Sequence, residues 1–182
     1  MKLLVVVDYQ KDFVDGALGF PGAEALDASI AAKIAAYSQR GDYIVQTMDT
    51  HRADYLSTRE GKHLPVMHCV AGTDGWETYG QTANAIANIK DDPHFRFIKK
   101  DTFPVHPQDM MKLLSWIGHD EITEIEFVGL VSNICVISNI CVFQGAFPLA
   151  QVVVDPCLIA SHDPVAHEAV LQVMRGLQVE LL

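Results

Sequence analysis

The chain has 182 residues, 49% of them apolar, with 13 Lys and Arg against 23 Asp and Glu and a formal net charge of −10. That length suits one domain over residues 1–182 with a sizeable core. A mean hydropathy of +0.16 suggests surplus apolar surface covered in a homo-oligomer, a dimer or tetramer. No Lys/Arg-rich block exists, so neither nucleic acid nor an anionic membrane is expected as a partner. No apolar stretch approaches the roughly 20 residues of a membrane helix.

Met1 leads directly into a strand-like run that turns acidic at Asp8, a poor match to a secretory signal. Cys69, Cys135, Cys141 and Cys157 lack CxxC spacing, which excludes a zinc ribbon and gives no disulfide framework. A reducing cytoplasm is the expected compartment.

Strands and helices alternate. Leu3–Val7 is a continuous apolar run, the pattern of a strand covered on both faces. Glu24–Gln39 places Leu26, Ile30, Ile34 and Tyr37 at helical spacing, and Gly41 is a stop signal. Tyr43–Met48 reads as a second strand. A long polar loop runs from Asp49 to about Gly75, a length usually reserved for function. Ala83–Lys90 reads as helix, Phe95–Lys99 as a third strand, and Pro107–Ile117 as a helix opened by its proline. Glu124–Val128 is a fourth strand, followed by a helix over about Asn133 to Phe143. Gln151–Val154 is a fifth strand, Asp163 caps a helix from Pro164 to near Gly176, and Gln178–Leu182 is a possible sixth strand. This alternation predicts a three-layer α/β/α sandwich around a six-stranded, mostly parallel, Rossmann-like sheet.

Asp8, Lys100 and Cys135 fall at the C-terminal ends of three of these strands. In an open parallel sheet those ends line one crevice, where ligands bind. Such a meeting is expected to lower the thiol's pKa and to provide a proton acceptor, as a nucleophilic cysteine requires. Each residue also has a plain reading: Cys135 as a buried core cysteine, Asp8 as a strand-end cap, Lys100 as a solvated lysine. Lys99 competes with Lys100, because alternation along a strand turns only one of them to the crevice. Cys141 reads as packing, and Cys69 and Cys157 as structural.

The long loop holds a second group. Asp49, His51, Glu60 and His68 are N/O ligands suited to a divalent transition metal, with His63 in reserve, or else polar residues of a surface loop. His94, His106, His119, His162 and His167 have no comparable grouping. Phe13, Phe20 and Trp76 could wall a flat pocket or pack in the core.

These residues, in order, resemble the isochorismatase-like cysteine hydrolases, most closely the nicotinamidase branch. The match runs through Val6-Val7-Asp8-Tyr9-Gln10-Lys11-Asp12-Phe13, Asp49-Thr50-His51 and His68-Cys69-Val70-Ala71-Gly72. It continues in Lys100-Asp101-Thr102-Phe103, Gly129 through Val136, Val154-Asp155-Pro156-Cys157 and His167-Glu168-Ala169. The resemblance implies an isochorismatase-like hydrolase fold, a catalytic Asp8–Lys100–Cys135 triad, and Lys100 in preference to Lys99. It also implies a cis peptide between Leu130 and Val131, with the Val131 and Cys135 amides forming an oxyanion hole. Phe13 and Leu130 are implied in substrate binding, and Asp49, His51, Glu60 and His68 as ligands of a divalent metal, zinc first, with iron or manganese as alternatives.

The implied activity is hydrolysis of nicotinamide through a cysteine thioester, with a small amide as the only partner beyond further copies of the chain. A second reading keeps the triad and changes the substrate to another small amide or a carbamoyl or ureido compound. A third is an interaction module without activity, which would have no need of all three triad residues. Two departures from the family pattern bear on the pocket. Pro65 stands where some nicotinamidases carry Trp, and Ile137-Ser138-Asn139-Ile140 replaces the usual Thr-Ala-x-Ala run.

Overall fold

The computed structural model describes residues 1–182. Its six strands are β1 (Lys2–Val7), β2 (Tyr43–Asp49), β3 (Phe95–Lys100), β4 (Glu124–Leu130), β5 (Gln151–Ala160) and β6 (Glu180–Leu181). They form one sheet in the order β3-β2-β1-β4-β5-β6, every pair parallel. The sheet is thus wholly parallel, and the order reverses direction between β1 and β4, the position at which such folds open a crevice.

Strand alternation builds the layers. Leu3, Val5 and Val7 of β1 point into one core, with Met110, Leu113 and Ile117 of α5 (Pro107–Ile117), Ile140 and Phe143 of α6 (Ile137–Ala146), and Val170, Leu171 and Met174 of α7 (Pro164–Gly176). Leu4 and Val6 point into the other, with Ile30, Ile34 and Tyr37 of α2 (Asp27–Arg40). A period-2 strand feeding two period-3.6 helix stripes is what makes three layers. Gly41 ends α2 at φ 72°, a left-handed conformation that glycine enters without a Cβ clash.

Several boundaries differ from expectation. A short helix α1 (Lys11–Val14) follows β1, and the long loop carries α3 (Arg59–His63) between two 3₁₀ turns, Tyr55–Ser57 and Asp74–Trp76. The next helix, α4 (Gly80–Asn88), starts earlier than its apolar spacing suggests. Strand β5 runs on to Ala160, its pairing with β4 broken by an irregularity between Phe127 and Gly129. The sixth strand is only two residues long. No helix is long and apolar enough to cross a membrane.

Candidate active site

Asp8 is the first residue beyond β1 and turns the chain with φ 45°, a region an aspartate tolerates better than most residues. Its N–H is held by the Thr47 carbonyl at 3.2 Å, and its Oδ1 accepts the Thr47 hydroxyl at 2.7 Å. Lys100, the last residue of β3, brings Nζ to 2.6 Å from Asp8 Oδ2 and 3.7 Å from Cys135 Sγ. All three side chains are buried. The Lys100 contact occupies one lone pair of Oδ2, which leaves a second able to receive a proton. Lys99 points outward, its Nζ 4.7 Å from the Trp76 ring centre. Alternation along β3 therefore separates the two lysines, and the inward one is Lys100.

Cys135 sits in a single π turn, Ser132–Val136, between β4 and α6, where a uniform α-helix was expected. The Val131 carbonyl accepts both the Ile134 and the Val136 N–H, at 3.0 and 3.1 Å. The Leu130–Val131 peptide is cis, and the Val131 N–H donates to no backbone carbonyl. Gly129, at φ 111°, lets β4 run against β1: a Cβ there would strike the Val7 backbone. Ser132 is fully buried, and its Oγ lies 3.0 Å from His167 Nδ1, tying the turn to α7.

The electrostatics correct one expectation. The Cys135 thiol is pushed up, not down, chiefly by burial and further by Asp8 and Asp49, against the opposing Lys100. Burial also raises Asp8, more than Lys100 lowers it. Burial disfavours the Lys100 ammonium, yet Asp8, Cys135 and Asp49 together raise its pKa. Burial thus favours the neutral thiol, and Lys100 is the neighbour that favours the thiolate.

The second group assembles beside the first. One ligand atom from each of Asp49, His51, Glu60 and His68 lies within 4.8 Å of the others. Asp49 ends β2, and its backbone is fixed from behind by Gln10, which accepts the Asp49 N–H at 2.7 Å and donates to the Asp49 carbonyl at 2.9 Å. His68 Nδ1 bonds the Val66 carbonyl at 2.8 Å, which turns Nε2 toward Asp49 at 3.3 Å. Tyr55 lies against both imidazoles, with ring centres 4.4 and 5.0 Å away.

Burial and then Asp49 raise the Glu60 carboxyl. Burial opposes the Asp49 carboxylate, but hydrogen bonds from His51 and His68, helped by Lys100, hold its pKa low. His51 Nε2 is buried and lies 2.9 Å from Asp49 Oδ2. Two imidazoles and two carboxylates, with both Nε2 atoms converging on Asp49 and one of them aimed by its ring's backbone bond, fit a divalent cation.

Phe13 packs edge-on against His68, ring centres 5.5 Å apart, and Leu130 is wholly buried in the same core. His63 bonds Arg59 and stays outside the cluster. Pro65 is exposed. Cys69 is buried as expected of a structural cysteine, whereas Cys141 and Cys157 are exposed, because α6 turns Cys141 away from the sheet. Sequence reading missed Gln10, Thr47, Tyr55, Asn139 and the Ser132–His167 contact. Of these Gln10 carried a signal, lying inside the strand-end motif, and Asn139 another, lying inside the Ile137–Ile140 departure.

The isochorismatase domain model matches residues 2–182. A nicotinamidase/pyrazinamidase from Bacillus subtilis superposes with a TM-score of 0.88 at 25% identity, covering 100% of this chain and 99% of that one. Two further likenesses are of fold. A Pyrococcus horikoshii pyrazinamidase, solved in complex with zinc, gives a TM-score of 0.82 at 22% identity, covering 100% of this chain and 98% of the other. The N-carbamoylsarcosine amidase of Thermoplasma acidophilum gives 0.77 at 20% identity, covering 100% and 95%. No curated protein matches in a sequence search. The fold and the domain match define a hydrolase of three-layer α/β/α architecture that acts on C–N bonds. The chain belongs to the isochorismatase family.

Proposed function

We propose that this hydrolase is a cysteine amidohydrolase whose substrate is nicotinamide, released as nicotinate and ammonia. The observation that carries the reading is the meeting of Lys100 Nζ with Asp8 at 2.6 Å and with Cys135 Sγ at 3.7 Å, next to the four-ligand cluster. The likeness to the B. subtilis nicotinamidase/pyrazinamidase supports it.

In this reading Asp8 takes the thiol proton as Cys135 Sγ attacks the amide carbon, and Lys100 steadies the thiolate as it forms. The Val131 and Cys135 amides receive the oxyanion, an interaction worth about 3 kcal/mol per donor in comparable sites. Collapse of the tetrahedral adduct breaks the C–N bond, and Asp8 returns its proton to the leaving nitrogen. Water then attacks the Cys135 thioester, with Asp8 as base, to give the acid and the free thiol. Phe13 and Leu130 bound the ring slot. Asp49, His51, Glu60 and His68 would hold a divalent ion, zinc first and iron or manganese otherwise, which when bound supplies a Lewis-acid anchor for the pyridine nitrogen. In this reading the enzyme works in the cytoplasm, where thiols stay reduced, as a dimer or tetramer.

Ammonia release from nicotinamide by the purified protein is the test. Cys135→Ala should abolish turnover while circular dichroism stays native, and substantial turnover by that variant would exclude covalent catalysis. Pro65, in place of an aromatic wall, favours a second reading, in which the slot takes another small amide or a carbamoyl or ureido compound. Turnover of such a compound that outpaces nicotinamide and survives complete chelation would select it.

A further inference from the structure

Asn139 lies on α6, one turn after Cys135, and is fully buried. Asparagine is a poor helix former, and a buried amide must find partners or cost stability. This one finds three. Its Oδ1 accepts the Val105 N–H at 2.9 Å, and its Nδ2 donates to the Phe103 carbonyl at 3.2 Å and the Cys135 carbonyl at 2.8 Å. The partners fix the orientation of the amide, since an N–H faces one end and two carbonyls face the other.

The consequence lies in what these partners are. One is the backbone of Cys135 itself. The other two belong to the segment that leaves Lys100 and runs to α5, where Phe103 is exposed and Val105 is buried. Asn139 is therefore a second bridge between the two strand ends that the Lys100–Cys135 contact spans, and it stands inside the Ile137–Ile140 run that departs from the family pattern. The geometry points to Asn139 as a positioning residue that sets the placement of Lys100 and of the Phe103 segment against the Cys135 sulfur. It touches no reacting atom and works through the backbone on either side. The inference rests on the roles given above to Cys135 and Lys100, and it adds to them a determinant of how closely the two are held.

Two variants test it. Asn139→Asp keeps the size and the acceptor for Val105 but loses the donor that links Phe103 to Cys135. Asn139→Ser keeps a polar group and leaves room for water, should the aspartate variant fail to fold. The deciding readout is the rate of Cys135 alkylation by iodoacetamide, followed by mass spectrometry with the exposed Cys141 and Cys157 as internal references. A folded variant should alkylate at Cys135 at least threefold more slowly while Cys141 and Cys157 keep their rates. With nicotinamide, kcat should fall at least tenfold while KM stays within threefold. Cys135 alkylation at an unchanged or faster rate in the folded variants would overturn the role. If the wild-type protein leaves nicotinamide intact, the substrate assignment fails, and the alkylation comparison still decides the role of Asn139.

Discussion

Gln10 shows how much of the site rests on one uncharged side chain. Fully buried, it reproduces with its amide the paired bonds of a neighbouring strand, taking the Asp49 N–H and giving to the Asp49 and Trp76 carbonyls at 2.9 and 3.0 Å. Gln10→Glu keeps length and shape but sets a carboxylate oxygen against those two carbonyls, so the Asp49 backbone should shift. Groups that orient ligands from behind commonly matter 10- to 100-fold, roughly, in metal affinity. Zinc titration of the variant should show a loss of about that size, and an unchanged affinity would remove Gln10 from the site. The charged members of the site were legible in the sequence because their chemistry is written in their side chains. The roles of Gln10, Tyr55 and Asn139 were not, because each acts by hydrogen bonding or packing against parts of the chain distant in sequence. The direction of the Cys135 shift was misread for a related reason: neighbouring charges can be inferred from sequence, whereas complete burial cannot.

Among the elements, α2 and α4 are joined head to head. Asp27, at the first turn of α2, accepts the Gln81 N–H at 2.7 Å and the Thr82 N–H at 2.8 Å, so a carboxylate of one helix caps the exposed amides of the other. Caps contribute about 0.5–2 kcal/mol, and a buried donor left unmade costs about 1–3 kcal/mol. Asp27→Ala should therefore lower stability by about 2 kcal/mol in urea unfolding, with Asp27→Asn less damaging because it keeps one acceptor. A loss under about 0.5 kcal/mol would show that water replaces the cap. This arrangement explains why α4 begins before its apolar face does: its start is set by a partner from another helix. Helix α3 left a local signal, since Thr58 Oγ1 accepts the Gly61 N–H at 3.0 Å, the Ser/Thr capping pattern in a segment read as loop. The π turn around Cys135 left none, because its hydrogen-bond offset follows from the packing of β4 and α7 around it.

At the scale of the whole molecule the sheet was readable because a strand buried on both faces must be apolar throughout, and the length of the crossovers then demands helices and parallel pairing. That sheet brings Asp49 from the end of β2 to a long segment that supplies His51, Glu60 and His68, with two like-charged carboxylates facing each other across the group. A divalent ion would neutralise that repulsion and crosslink a stretch of twenty residues, Asp49 to His68, to the sheet. An ion that binds the folded chain and not the unfolded one adds stability according to its concentration, about 2.7 kcal/mol at a hundred times its dissociation constant. For a chain of this size that corresponds to several degrees in melting temperature. Dialysis against a chelator should therefore lower Tm by several degrees. Added zinc should restore it in the wild-type protein and fail to do so in His51→Ala, which removes one of the four ligands. A wild-type Tm indifferent to chelation and to added zinc, iron and manganese would mean that the four side chains hold one another by hydrogen bonds and charge alone.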